Sequence, residues 1–186
     1  MEQPLTARRR HQDRLFRTVV VPEIEILTRV AHTLTGSWSD AEDVVQETLV
    51  RAWRAVDRFD GAHPRAWLLT ILRNTHLNMI RRRRPDLLWD GTPRDGQRSA
   101  FASSYQPGPE QHTMDQTLEA DVELALTSLD PRFRRVVLLV DVDQLTYAET
   151  AEVLGIPVGT VMSRLHRGRD RLRGRLREIG QEGATR

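Results

Sequence analysis

The sequence contains no cysteine, and all 28 of its basic residues are arginine, so lysine is absent as well. The first absence excludes disulfides, thiolate metal sites and a thiol redox sensor within this chain; a redox response would need a partner. The second explains a pI of about 9.8 beside a formal net charge of only +2, because the very high pKa of arginine lifts the pI without adding net charge. No run of about eighteen apolar residues exists, and the opening MEQPLTARRRHQ lacks the apolar core of a signal sequence. A soluble, unexported, cytoplasmic protein with no membrane insertion is expected. Catalytic motifs are missing too: there is no phosphate loop, no GxGxxG and no HExxH, and the six histidines never fall four apart. Neighbouring acids such as Glu42 and Asp43 are helix-capping acids before they are an acid-base pair. Neither an enzyme nor a cofactor or metal site is expected.

What is present is concentrated toward the C-terminus. Thr146 with Glu149 has the form of a capping box, so a helix should start at Tyr147. Gly155 supplies the left-handed backbone that a tight turn after Leu154 requires, Ala151 is small where a second helix would cross, and Ile156 plugs the turn. Beyond Pro157, the apolar positions Val161, Leu165, Leu172, Leu176 and Ile179 recur at helical spacing. This is the pattern of a helix-turn-helix whose second helix can enter the major groove. Seven arginines from Arg164 to Arg177 follow, suited to phosphate oxygens or, bidentately, to guanine. A basic helix end also complements the helix dipole whatever its function. From Thr160 onward eight Arg face three acids, a local +5 that leaves −3 for the rest of the chain. Positive charge thus sits at the end expected to meet DNA.

Residues 1–11 are polar and basic without periodicity, and a mobile arm is expected there. Leu15, Phe16, Val19 and Val20 fit a helix face that Pro22 should kink or restart, and Ile24, Leu27, Ala31 and Leu34 continue the stripe to a break at Gly36. Ser39 and Glu42 form a second capping-box pattern, opening a helix whose Val44, Val45, Leu49 and Trp53 pack inward and whose Asp43, Gln46, Glu47 and Arg54 face out. Acids in the first turn and arginines in the last also satisfy the helix dipole without a partner. A loop, Phe59 to His63, precedes Pro64 at the first position of an amphipathic helix that runs to Arg81–Arg84 and stops at Pro85. Residues 86–114 are rich in Pro, Gly and Ser and read as a flexible linker between independently moving modules. Leu118 to Leu129 form a further helix, and Asp130-Pro131 caps the next, where VVLLVDV reads as helix rather than strand.

The two capped modules, SDAEDVVQETLVRAWR with HPRAWLLTILRNTHLNMIRRRR and the C-terminal helix-turn-helix ending GTVMSRLHRGRDRLR, resemble the extracytoplasmic-function class of bacterial sigma factors. The fold this implies is all-α, with two small helical domains joined by a flexible linker: an arm at 1–11, a region 2 domain at 12–85, a linker at 86–114, a region 4 domain at 115–180 and a tail at 181–186. The resemblance implies that Asp43, Gln46, Glu47 and Arg54 meet core RNA polymerase. Phe59, Asp60, His63, Arg65, Asn74 and Asn78 would meet the unstacked −10 strand, with Arg81 and Arg82 on phosphates. Met162, Ser163 and Arg167 would face −35 base edges, with Arg164 and Arg169 on phosphates. Met162 stands where the family often has a basic residue, and an apolar contact to a thymine methyl is the physical substitute. Promoter DNA, core polymerase and an anti-sigma protein are the partners implied. A stand-alone regulator would account for the helix-turn-helix alone, leaving the 39–56 surface and the Arg81–Arg84 run without a purpose. A nucleic-acid enzyme would need the catalytic set the chain lacks.

Overall fold

The computed structural model describes residues 4–83 and 113–184, and these are helical apart from short turns. In chain order they form α1 (Pro4–Val19), a 3₁₀ turn (Val21–Glu23), α2 (Ile24–Thr35), α3 (Trp38–Ala55), a second 3₁₀ turn (Val56–Arg58) and α4 (Pro64–Arg83). After the segment outside the described residues come α5 (Thr113–Ser128), α6 (Pro131–Val137) passing into a π turn (Leu138–Val142), α7 (Tyr147–Leu154) and α8 (Val158–Ala184). The expected linker therefore lies outside the described residues except for Thr113 and Met114, which already belong to α5.

The punctuation follows local chemistry. Pro22 sits in the 3₁₀ turn that separates α1 from α2, and Gly36 closes α2 in the left-handed conformation at φ 73°. Ser37, left extended at φ −143° and ψ 130°, is the next residue able to cap, and its Oγ accepts from the Asp40 amide at 3.4 Å. The cap of α3 is thus Ser37 and not Ser39, which lies exposed inside the first turn. Trp38 at the first helical position stacks on His32 with ring centroids 4.0 Å apart, tying the end of α2 to the start of α3.

Both ends of the chain carry more helix than the sequence pattern suggests. Residues 4–11 belong to α1 and are not an irregular arm. Gln12 Nε2 donates to the Trp53 carbonyl at 2.7 Å and Phe16 meets Trp53 edge-on at 5.2 Å, so α1 is propped against α3 and the polar turns ahead of Phe16 extend from that anchored part. At the other end α8 runs on to Ala184, taking in most of the expected tail. The run VVLLVDV is helical, as its Asp-Pro start predicts, with the last turn widened to a π turn.

Two apolar cores form. One joins Val136, Val137, Ala151, Val161 and Leu165 within the C-terminal helices. The other gathers Val20, Leu27, Val30, Val44, Ala52, Leu68 and Leu72 of the N-terminal helices, and with them Leu139, Leu145 and Val153 from the C-terminal half. Fully burying such a side chain stabilises by about 1.5–3 kcal/mol, so the seam between the halves is packed and not grazing. The modules are not independent bodies in this structure; α7 lies against α4, and the π turn against α2.

Candidate nucleic-acid interface

The loop ahead of α4 is shaped by its own short-range bonds. Asp60 Oδ1 accepts from the Ala62 amide at 3.0 Å, Gly61 takes φ 82°, and the His63 carbonyl accepts from the Trp67 amide at 3.1 Å. Phe59 is thereby folded back onto Trp67, with rings stacked 4.7 Å apart at 28°. Together with Asp60, Ala62, His63 and Thr70 these rings line a cleft of about 540 Å³. The half-buried ring of Trp67 packs against the N-terminal core on one side and forms a wall of this cleft on the other. The signal was there in retrospect, an aromatic at the first turn of the helix that follows an aromatic-bearing loop.

Trp67, Thr70, Asn74, Asn78 and Arg81 recur at helical spacing of three or four along one side of α4. Asn74, Arg81 and Arg82 are exposed and Asn78 is half-buried. His63 is exposed at the rim. Arg65 is turned to the N-terminal side, where its Nε donates to Glu23 at 2.8 Å; that hydrogen bond is the main reason its pKa is raised. The loop, the amide face and the arginines are thus brought together, while Arg65 is engaged elsewhere.

In the C-terminal half the capping box is complete: Thr146 Oγ1 accepts from the Glu149 amide at 3.2 Å and Glu149 Oε2 accepts from the Thr146 amide at 2.8 Å. Gly155 ends α7 at φ 64° and α8 begins three residues later. At its start Val158, Met162 and Ser163 are exposed, as is Arg167 one turn on, while Val161 and Leu165 are buried toward α6 and α7. Arg164 is half-buried. Arg169 has another use: its guanidinium takes both carboxylate oxygens of Asp141, Nε at 3.1 Å from Oδ2, fastening α8 to the end of the π turn. Gly168 on the inner face allows that approach, because a Cβ there would come within 2.8 Å of a Val137 methyl.

On α3, Asp43, Gln46 and Arg54 are exposed, as expected. Glu47 is half-buried and accepts from Arg51 Nε at 2.8 Å.

Both halves of the chain have counterparts among known proteins. The family model described as Sigma-70 region 2 matches residues 24–85, and that described as Sigma-70, region 4 matches residues 119–172. The ECF RNA polymerase sigma factor SigW of Bacillus subtilis is 31% identical over 155 residues, covering 81% of this chain and 83% of that protein. This chain belongs to the ECF sigma factors. SigE of Mycolicibacterium smegmatis, another ECF RNA polymerase sigma factor, is 38% identical over 176 residues, which cover 95% of this chain but 62% of SigE. Among solved structures, the sigma factor RpoE in complex with the anti-sigma factor NepR from Bartonella quintana superposes with a TM-score of 0.60 at 31% identity, covering 87% of this chain and 96% of RpoE. CnrH, solved in complex with the cytosolic domain of CnrY, gives 0.54 at 28% identity, covering 89% and 90%. The region 2 match contains the Phe59–Trp67 wall of the cleft and the α4 face, and the region 4 match contains α7, whose Ala148, Glu149 and Glu152 line the cleft's other side, and the first part of α8. No helix among the described residues of this ECF sigma factor is long and apolar enough to cross a membrane.

Proposed function

We propose that this ECF sigma factor directs core RNA polymerase to specific promoters and takes part in opening them. The observation that carries the reading is the stacked Phe59–Trp67 cleft, continuous along α4 with Asn74, Asn78, Arg81 and Arg82. A base leaving its stack needs an apolar or aromatic slot and a polar edge to read it, while the strand it hangs from needs phosphate contacts. The loop residues Phe59, Asp60 and His63 supply the first and the α4 face the others. Arg65, held by Glu23, contributes once that pair is exchanged for a phosphate.

In this reading the −35 duplex is met by the N-terminal turns of α8, with Met162, Ser163 and Arg167 toward base edges and Arg164 on a phosphate. Arg169 serves first to fix α8 through Asp141 and reaches a phosphate only from that position. Core polymerase docks on the outer face of α3 through Asp43, Gln46 and Arg54, with Glu47 shared with Arg51. An anti-sigma protein is the regulatory partner proposed, supported by two similar sigma factors having been solved in complexes with CnrY and with the anti-sigma factor NepR.

The test is promoter-specific initiation by core RNA polymerase with and without the purified protein. Transcripts with defined start sites that depend on it are expected. DNA binding without core association or initiation would instead make the protein a stand-alone regulator.

A further inference from the structure

Positive charge is concentrated a second time, at the opposite end of the chain from α8. The 16 residues of α1 hold five arginines against one acid, Asp13, a net +4. Packing does not require them: α1 is held to α3 by Gln12 and Phe16, while Arg8, Arg9, Arg10, Arg14 and Arg17 are all exposed. Neither does the helix dipole, which favours cations in the last turn, where only Arg17 of the five lies. Three consecutive arginines in the N-terminal half repel one another, and an anionic partner relieves that repulsion.

The position of α1 decides which anion. From its anchor at Trp53 back toward its start, the helix lies against the second 3₁₀ turn, where Arg8 Nε donates to Asp57 Oδ2 at 3.4 Å. Asp57, which would repel a phosphate here, is thus answered by Arg8. The next residue, Arg58, lines the Phe59–Trp67 cleft, and the loop from Phe59 to His63 follows it. The basic turns of α1 therefore border the loop end of the cleft, at the end of α4 opposite Arg81 and Arg82. A strand laid along α4 from Arg81 leaves over this loop. Promoter DNA is opened from the −10 element toward the start site, so the strand beyond the cleft is single and its phosphates are bare.

Resting on the sigma reading above, we propose that Arg9 and Arg10 of α1, continued by Arg58, form a phosphate track for the single strand beyond the cleft, on the side of the start site. Such contacts set the path of the strand and carry no sequence information. Their contribution is electrostatic, so it shows in the salt dependence of binding.

The test uses polymerase holoenzyme assembled with the wild type or a variant, and labelled forks of a promoter on which the wild type initiates. One fork ends its single strand at the last −10 base; the other carries it on to the start site. On the long fork, Arg9→Gln with Arg10→Gln should weaken binding most at low salt. The plot of log affinity against log salt should become shallower by about 1.4, at about 0.7 per lost phosphate contact. On the short fork the double variant should match the wild type. Arg9→Lys with Arg10→Lys should restore the slope, because a phosphate also accepts a point charge, and it keeps the test intact if the glutamines disturb α1. Arg17→Gln removes a charge from the same helix about 12 Å along from Arg9, beyond a Debye length at physiological salt, and should change nothing. An unchanged slope on the long fork, an equal loss on both forks, or lysines that fail to restore the slope would overturn the proposal. Failure of the wild type to initiate with core polymerase would instead reject the sigma reading, before any variant is compared.

Discussion

Asp143 takes a carboxylate to a place where only 4% of the residue is exposed. Burial pushes its pKa upward and is the leading effect, opposed by the Thr33 hydrogen bond and by the charge of Arg29. An acid whose native pKa is raised binds its proton more tightly folded than unfolded, so its ionised form costs stability above the native pKa. That cost fades as pH falls through the native value toward the ordinary one. Asp143→Asn should therefore melt slightly above wild type near neutrality, with the gap narrowing in mild acid. A variant that melts lower at neutral pH would mean that the pairing with Arg29 and Thr33 outweighs desolvation. None of this was legible in the sequence, because Thr33 and Asp143 lie 110 residues apart and nothing in a DVDQ tetrapeptide announces a buried acid. Arg167 is the opposite case, exposed on the expected face of α8. Its replacement by alanine should cost about 1–3 kcal/mol at one −35 position and relax discrimination there, if the guanidinium grips a base edge bidentately. Equal loss across all −35 variants in a binding assay would reduce it to a phosphate contact. Arg169 shows where a run of arginines misleads: sequence cannot say that one of seven is engaged by an aspartate on another helix.

At the scale of elements the sequence was most readable where a cap, a turn glycine and an apolar stripe agree. The Thr146–Glu149 box, Gly36, Gly155 and the Asp130-Pro131 start all stand where their chemistry predicts. Boundaries failed where two capping serines competed two residues apart. Ser37 wins because the residue after a left-handed glycine is already extended, while Ser39 is carried into the first turn. Ser37→Ala should thus cost about 0.5–1 kcal/mol in a denaturant titration, the low end for a cap whose bond is 3.4 Å long, and Ser39→Ala close to nothing. The reverse order would restore the Ser39 box. The start of α1 was missed for a different reason. Its first turns carry no apolar period, and the helix is held from further on by Gln12 and Phe16 packing on Trp53, a contact 41 residues away in sequence for the Gln12 bond.

For the whole molecule, the all-α class was legible because each module carries its own caps and helical periods, and the family was reached through the resemblance of both modules, in order, to ECF sigma factors. The closed arrangement was not readable, because the residues that make it are ordinary core leucines and valines until both halves are seen together. The docking face proposed on α3 lies apart from the contacts between the halves, since neither Asp43 nor Glu47 takes part in the Thr33–Asp143 or Thr70–Glu152 bonds, which allows one further test. Asp43 is exposed on α3, and Glu47 loses only a partly exposed pair with Arg51 when replaced. Changing both acids to arginine should shift the melt by no more than a few tenths of a kcal/mol, the worth of such a helix pair. The same change should abolish association with core polymerase if that surface meets a basic patch, because like charges juxtaposed at an interface cost several kcal/mol. A double variant that binds core as tightly as wild type would remove α3 from the proposed docking surface.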